Sequence, residues 1–156
     1  MHGTRAKLAV LLAAGVGLGL VSMAAAQEKG AKGVVAVRQA TMEANAKHAG
    51  AIKFILTEEP GLIGQVAFHA EAIAGAAEHV PDMFPPGSTQ APTDALPAIW
   101  EKPDQFKAAA ERAHGLAEKL AETAEGGDVR ATQAAFGALG KEGCGGCHET
   151  FRQKQD

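Results

Sequence analysis

Cys144-Gly145-Gly146-Cys147-His148 is the stretch that decides the fold, and it lies close to the C-terminal end of the chain. The Cys-x-x-Cys-His pattern is typical of covalent attachment of a c-type haem. On a helix the two thiols share a face, where each can add to one vinyl group of a porphyrin while the adjacent imidazole reaches the iron. The sequence therefore predicts one covalent haem c per chain, held by Cys144 and Cys147, with His148 as the proximal iron ligand.

Three other uses of the two cysteines fit the sequence less well. A structural zinc site needs four converging ligands, but the chain has no second cysteine pair and its other histidines lie in separate segments. A thioredoxin-like dithiol would follow a strand, and no period-two pattern lies near Cys144. A plain disulfide is chemically open to these thiols in an oxidising compartment, yet it gives no reason for His148 to follow Cys147.

The N-terminus has the pattern of a secretory leader. Basic side chains precede an apolar run over residues 8–21, and the small residues Ala24-Ala25-Ala26 follow it. This pattern predicts a signal peptide over residues 1–26 and a mature domain over residues 27–156. The run is also just long enough for an uncleaved membrane anchor, but its glycines and its small-residue end favour cleavage, so we expect no stable anchor afterwards. Covalent haem assembly is extracytoplasmic in bacteria, so we expect a periplasmic protein.

Charge and composition narrow the function further. The formal net charge of −3 becomes −5 once Arg5 and Lys7 are removed with the leader, which argues against a nucleic-acid partner. The chain has no Tyr, one Trp and six Phe, whereas alanine and glycine are abundant. A core of small residues buries little area, and a buried porphyrin would supply the missing bulk.

Four helix-length segments with apolar stripes follow the leader, and clear breaks separate them. We expect them over about 33–57, about 62–79, from Pro103 to the Gly126-Gly127 break, and from an Asp128 cap through the cysteine motif. The stripe of the second segment begins at Leu62, and that of the fourth is expected to contain Val129, Gln133, Phe136, Gly140, Cys144, Cys147 and Phe151.

A proline-rich crossover connects the second and third segments. Six of the seven prolines lie between Pro81 and Pro103, which predicts an irregular connection without a fifth helix. Its apolar side chains, among them Phe84, Ile99 and Trp100, should fold back over the core. The expected fold class is all-α, an antiparallel up-down-up-down four-helix bundle with haem c attached to the C-terminal helix.

Two residues of the first segment point towards the cofactor. Arg38 lies in the apolar stripe, where an unpaired guanidinium would be costly, so it needs an anion such as a haem propionate. The alternative is an arginine that extends to solvent. Met42 lies one turn further on the same face, where its thioether could be a sixth iron ligand or simply fill core volume.

These motifs together resemble the class II cytochromes c, the family of cytochrome c′ and its low-spin c-556-type relatives. The matching pieces are Arg38-Gln39-x-x-Met42, Pro97-x-Ile99-Trp100, Phe136 ahead of Cys144, and Cys144-x-x-Cys147-His148-x-x-Phe151-Arg152. The resemblance covers the mature chain, and class I cytochromes c carry the attachment motif near the N-terminus instead. Cytochrome c′ is itself a standard example of the up-down-up-down bundle, so the expected architecture does not count as independent support.

The resemblance implies roles for individual residues. It implies that Arg38 and, less strongly, Gln39 lie at the propionate edge of the haem, and that Arg152 lies on the proximal side. Phe136 and Phe151 would pack against the porphyrin. Low-spin members use a methionine like Met42 as an axial ligand, whereas high-spin members leave the iron five-coordinate. Members of the family often form antiparallel homodimers through the first two helices.

Two functions are open at this point. The first is one-electron transfer with transient redox protein partners, in which His148 and Met42 ligate the iron. The alternative is a high-spin, five-coordinate protein that binds or detoxifies nitric oxide or other diatomic gases in a dry pocket around Met42, Ile52 and Phe54. No enzymatic activity is expected, since the first-segment stripe offers no distal acid–base pair.

Four further histidines of the expected mature chain lie outside the motif. We expect His48, His69, His79 and His114 to be solvated helix residues, although any of them could replace Met42 as a ligand.

Overall fold

The computed structural model describes residues 31–90 and 92–154. The expected signal peptide over residues 1–26 lies outside this part of the chain. Within it, none of the helices combines the length and the apolar character that crossing a membrane requires.

The described chain is helical, as its sequence predicted. Its helices are α1 (Val34–Thr57), α2 (Gly64–Glu78), α3 (Ala98–Glu101), α4 (Pro103–Glu125), α5 (Val129–Ala138) and α6 (Gly146–Phe151). A π-helical segment, Leu139–Gly145, joins α5 to α6, so that these three pieces form one continuous C-terminal helix. Short 3₁₀ turns lie at Pro60–Leu62 and Pro81–Met83. The fold is an all-α four-helix bundle of α1, α2, α4 and the C-terminal helix.

The break between α4 and α5 follows from local chemistry. Gly127 has a φ of 74°, in the left-handed region that glycine adopts without a steric penalty, and its N–H bonds to the Ala124 carbonyl. Asp128 then caps α5, because its Oδ1 accepts hydrogen bonds from the backbone N–H groups of Arg130 and Ala131. Both features confirm the sequence prediction.

The main core is built largely from small side chains. Alanines of α2 and α4 face each other, and the larger apolar side chains of α1 and the C-terminal helix close the core around them. The largest fully buried residues include Ile52, Leu120 and Leu139. Small facing residues let the helices approach closely, but they bury little apolar area per residue.

A second cluster of buried side chains lies at one end of the bundle. It contains Val80, Ile99, Phe106, Ala110 and Phe151, with the crossover residues Met83, Phe84 and Trp100 packed against it. The prediction that the crossover folds back over the core is therefore confirmed. Its expected irregularity is only partly right, because α3 forms one helical turn directly after Pro97, whose fixed φ favours helix initiation.

Two expected stripes differ from the structure. Leu62 is 46% exposed because it belongs to the 3₁₀ turn before α2 and not to the helix itself. In the C-terminal helix, Gln133, Gly140 and Cys144 are exposed, whereas Thr132, Leu139 and Gly143 are buried. Thr132 can be buried because its hydroxyl donates to the Asp128 carbonyl. From Thr132 to Gly143 the buried positions thus lie one residue ahead of the expected stripe, which leaves Cys144 exposed. The π-helical segment then returns the helix to the expected phase at Cys147 and Phe151.

Candidate functional site

A cavity of about 310 Å³ lies where α1, the crossover, α4 and α6 meet. Most of its accessible wall is apolar. Its lining residues are Arg38, Gln39, Met42, Val80, Phe84, Thr93, Asp94, Ala95, Ile99, Phe106, Cys147, His148, Phe151 and Arg152. The cavity is therefore lined by residues of the first and last helices of the bundle, by crossover residues and by Phe106 of α4.

Three phenylalanines form an aromatic wall of this cavity. The ring centroid of Phe106 lies 4.9 Å from that of Phe84 and 5.1 Å from that of Phe151, both in edge-on geometry. Such pairs are favoured because the positive edge of one ring meets the negative face of the other. The wall is thus rigid and apolar, as a flat hydrophobic ligand requires.

The crossover is held against the end of α6 by backbone hydrogen bonds. Leu96 N donates to the Phe151 carbonyl at 3.0 Å, and Gln153 N donates to the Asp94 carbonyl at 2.8 Å. These bonds flank an antiparallel bridge between Ala95 and Arg152. This pairing holds residues 93–95, which line one side of the cavity, against the helix that carries Cys147 and His148.

Arg38 is buried, with only 3% of its surface exposed, and it lines the cavity. One of its nitrogens, Nη2, donates to the Ser88 carbonyl at 2.5 Å, and its guanidinium carbon lies 4.4 Å from the ring centroid of Phe84. Its Nε and Nη1 atoms have no hydrogen-bond partner among the described residues. Burial lowers the pKa of this guanidinium. A buried cation with two unsatisfied donors is suited to an anionic ligand such as a carboxylate.

Gln39 and Met42 lie beside Arg38 on α1. Gln39 is exposed, and its Nε2 donates to the Pro92 carbonyl at 2.9 Å, so it ties α1 to the crossover at the cavity rim. Met42 is half-buried and packs against the second apolar cluster. Met42 also lines the cavity, and it is the residue through which α1 brings a sulfur atom to the site.

Cys147 and His148 line the cavity from α6, and both are half-buried. Burial lowers the pKa of His148, and the positive charge of Arg152 lowers it further. The neutral imidazole that results is the form that ligates iron. Burial also raises the pKa of the Cys147 thiol, and the neighbouring Cys144 adds to that shift.

Five of the six residues that the sequence singled out line one cavity: Arg38, Gln39, Met42, Cys147 and His148. Cys144 is exposed within the π-helical segment and is not among the lining residues. Phe151 and Arg152 line the cavity as well. Sequence reasoning missed Thr93, Asp94 and Ala95, because the irregular crossover has no periodicity that would assign their direction.

Other expectations about the site are wrong. Phe136 packs in the main core and not at the cavity. Ile52 is also in that core, and Phe54 is 61% exposed, so neither surrounds Met42 in the way the dry-pocket prediction required.

The four extra histidines do not line the cavity either. His48 and His69 contact each other, His79 lies 3.5 Å from Asp82 at the surface, and the half-buried His114 shares a hydrogen bond with the Ala74 carbonyl. None of them is placed to substitute for Met42.

Comparison with known proteins shows which family the chain is similar to. The model of a family described as Cytochrome C′ matches residues 33–152. A cytochrome c′ of Pararhodospirillum photometricum is 39% identical over 120 residues, which cover 76% of this chain and 95% of that protein. A cytochrome c-554 of Cereibacter sphaeroides is 42% identical over 96 residues, which cover 58% of this chain and 59% of that protein.

A solved structure has the same architecture. It is a cytochrome c′ with an unusual ligand-controlled dimer dissociation, and it superposes with a TM-score of 0.70 at 30% identity, covering 78% of this chain and 95% of that one. The similarity therefore extends over the bundle from α1 to α6.

Proposed function

Because this chain belongs to the cytochrome c′ family of class II cytochromes c, whose members carry one covalent haem c, we propose that it is a periplasmic one-electron carrier with His148 and Met42 as axial ligands. When bound, the haem would supply a one-electron couple at its iron. The protein contributes attachment, orientation, ligands and a dry environment.

Cys144, Cys147 and His148 would hold the cofactor at the C-terminal helix. Cys147 and His148 already line the cavity, and burial favours the neutral, ligating imidazole of His148. Cys144 must face the same side as Cys147 for two thioether links to form. The three-residue spacing brings the two thiols to neighbouring sides of the helix, so Cys144 would have to turn from its exposed position towards the cavity to form its link.

The observation that carries the proposal is the buried guanidinium of Arg38 with its two unpaired donors at the cavity wall. A haem propionate is a carboxylate whose negative charge would compensate the buried guanidinium and which can accept a hydrogen bond from one of these two donors. The hydrogen bond to Ser88 and the contact with the Phe84 ring hold the guanidinium in place for it. Gln39 lies at the same rim and can contribute to the same edge.

Met42 supports electron transfer as the function. It follows Arg38 by one helical turn on the same face of α1, so its thioether reaches the cavity that also receives His148. A thioether is a soft, neutral ligand that raises the reduction potential relative to a second imidazole. With both axial positions taken, no position is open for a substrate, and we propose no enzymatic reaction.

A second function, the binding of nitric oxide or another diatomic gas to five-coordinate iron, is favoured by a different observation. Met42 packs with Val80, Ile99 and Phe106 in an apolar cluster, as a methionine that fills core volume would. In that case the sixth position faces apolar side chains, which admit small uncharged molecules more readily than ions.

Optical and electron paramagnetic resonance spectra of Met42→Ala test the choice between these functions. We expect low-spin ferric signals in the wild type and a change to high-spin signals in the variant, because the sixth ligand is lost. Met83→Ala is the matched control, since Met83 packs on the same cluster without lining the cavity. A high-spin wild type whose spectrum Met42→Ala leaves unchanged, and which binds carbon monoxide readily, would replace electron transfer with the gas-binding function.

Location and partners follow from the same proposal. Proteins of this family are periplasmic, and we propose that residues 1–26 direct the chain there and are removed. Its partners would be redox proteins that dock transiently and a second copy of the chain. The exposed Phe54 of α1 and Phe68 of α2 support that dimer, because they put large apolar surfaces on two adjacent helices.

A further inference from the structure

A pair of histidines joins α1 to α2 away from the cavity. His48 of α1 and His69 of α2 are both half-buried, and their Nδ1 atoms are 2.9 Å apart. His48 follows Met42 at a distance of about 9 Å along the helix axis. We propose that these two imidazoles form a binding site for a divalent transition-metal ion of the copper(II) class, separate from the haem.

The distance between the two nitrogens favours this class of ion. Two nitrogens that bind one metal at about 2.0 Å are about 2.8 Å apart when they occupy adjacent corners of a square, and about 3.3 Å apart at the tetrahedral angle. The 2.9 Å between the Nδ1 atoms, which their hydrogen bond sets in the metal-free pair, is close to the separation at adjacent corners of a square. Tetragonal coordination by nitrogen and oxygen is the geometry of Cu(II) and Ni(II), and Cu(II) binds such sites more tightly.

The protonation state of the pair is compatible with metal binding. Burial lowers the pKa of His69, and a positive charge on His48 lowers it further, so the ligating neutral form is favoured. One Nδ1–H donates to the other Nδ1 in the metal-free pair. On binding, both Nδ1 lone pairs replace waters on the ion, and the proton of the donor ring moves to its own Nε2 by exchange with solvent. No electron is transferred in this step.

The surroundings hold the two rings in position. The ring of Phe68 lies 5.1 Å from that of His69 and 6.2 Å from that of His48, with its plane steeply inclined to both. Each imidazole is anchored on a different long helix, so the ion would link α1 to α2. Within residues 31–90 and 92–154 no group of three or more His, Cys, Asp or Glu side chains could hold a metal, so waters would complete the coordination. The ion would therefore keep exchangeable water ligands.

Titration of the holoprotein with Cu(II) tests the proposal. We expect one tightly bound ion whose paramagnetic resonance spectrum shows two equatorial nitrogens. His48→Gln and His69→Gln should each weaken binding at least tenfold, while their amides keep a polar contact between the helices. His79→Gln is the matched control, because His79 is an exposed histidine at the C-terminal end of α2, and the variant should bind Cu(II) as the wild type does.

An unchanged haem spectrum in each variant would show that the fold is intact. The proposal fails if the double variant His48→Gln/His69→Gln binds one Cu(II) as tightly as the wild type, or if His79→Gln loses affinity to the same extent. Neither result depends on whether Met42 ligates the haem iron, so the two proposals are tested independently.

Discussion

Arg38 is the residue at which the packing of the bundle and the proposed haem contact coincide. The apolar stripe of α1 predicts that it points inwards, and its burial confirms this, so the alternative of a solvent-exposed arginine is wrong. The need for an anion could be deduced from the cost of an unpaired buried charge. Its contacts with Ser88 and Phe84 could not, because both lie in the crossover, whose backbone path no periodicity fixes.

Replacing Arg38 by methionine should destabilise the holoprotein markedly. The variant removes the donor to the Ser88 carbonyl and the cation of the proposed propionate contact, and removal of one partner from a buried charge pair costs about 3 kcal/mol. Urea unfolding followed by circular dichroism measures the free energy of unfolding. Arg112→Met is the control, since Arg112 is exposed on α4 and its loss should change stability by about 0.5 kcal/mol or less. Equal effects of the two substitutions would contradict a propionate contact at Arg38.

At the scale of the element, the sequence predicted where the C-terminal helix begins but not which of its residues are buried. Its cap at Asp128 and the break before it at Gly127 were predictable, because they follow from local hydrogen bonding and from the chemistry of glycine. Its buried face was not, because the buried positions from Thr132 to Gly143 lie one residue ahead of the expected stripe until the π-helical segment Leu139–Gly145 restores the phase. A stripe extrapolated at a constant 3.6 residues per turn cannot show such a segment.

Two glycines of this helix should respond oppositely to alanine. A Cβ at Gly143 would lie 3.1 Å from Leu139 Cδ1 and 3.3 Å from the backbone Cα of Ala113, so Gly143→Ala should destabilise the protein by about 1–3 kcal/mol. A Cβ at Gly137 meets no described atom within 4 Å, so Gly137→Ala should stabilise it by about 0.4–1 kcal/mol. Urea unfolding of the two holoproteins measures both. Changes of the same sign would mean that the close approach of α4 to the π-helical segment does not constrain residue 143.

At the scale of the whole molecule, the bundle was more predictable than its site. The bounds of α1 and α4 agree with the sequence because long amphipathic patterns with clear breaks define them. The cavity depends on pairing across the fold, such as the bridge between Ala95 and Arg152, which no local pattern encodes. Likewise, the contact between His48 and His69 arises only when α1 and α2 pack.

The exposed phenylalanines lead to a prediction about assembly. Phe54 and Phe68 are 61% and 64% exposed, and a second copy that covers them would bury apolar surface. Phe68→Asp should therefore weaken the dimer and increase the monomer fraction in sedimentation velocity. Ala134→Asp adds the same charge at an exposed position of α5, and it should leave the dimer unchanged. If Phe68→Asp has the same sedimentation coefficient as the wild type, this face of α1 and α2 is not the interface.

Folding of the whole bundle should depend on its covalent cofactor. The alanine-rich core buries little area, and the cavity of about 310 Å³ beside it lacks contacts across its apolar walls until a flat hydrophobic group fills it. We therefore expect Cys144→Ala/Cys147→Ala to lack the haem mass and the pyridine haemochrome signal, and to unfold at a lower temperature with reduced cooperativity. Gly146→Ala keeps both thiols and adds a methyl group that meets no described atom within 4 Å, so it should retain the haem and unfold as the wild type does. A double cysteine variant with native-like cooperative unfolding would mean that the small-residue core suffices by itself, and that the second apolar cluster around Phe106 closes the cavity without the porphyrin.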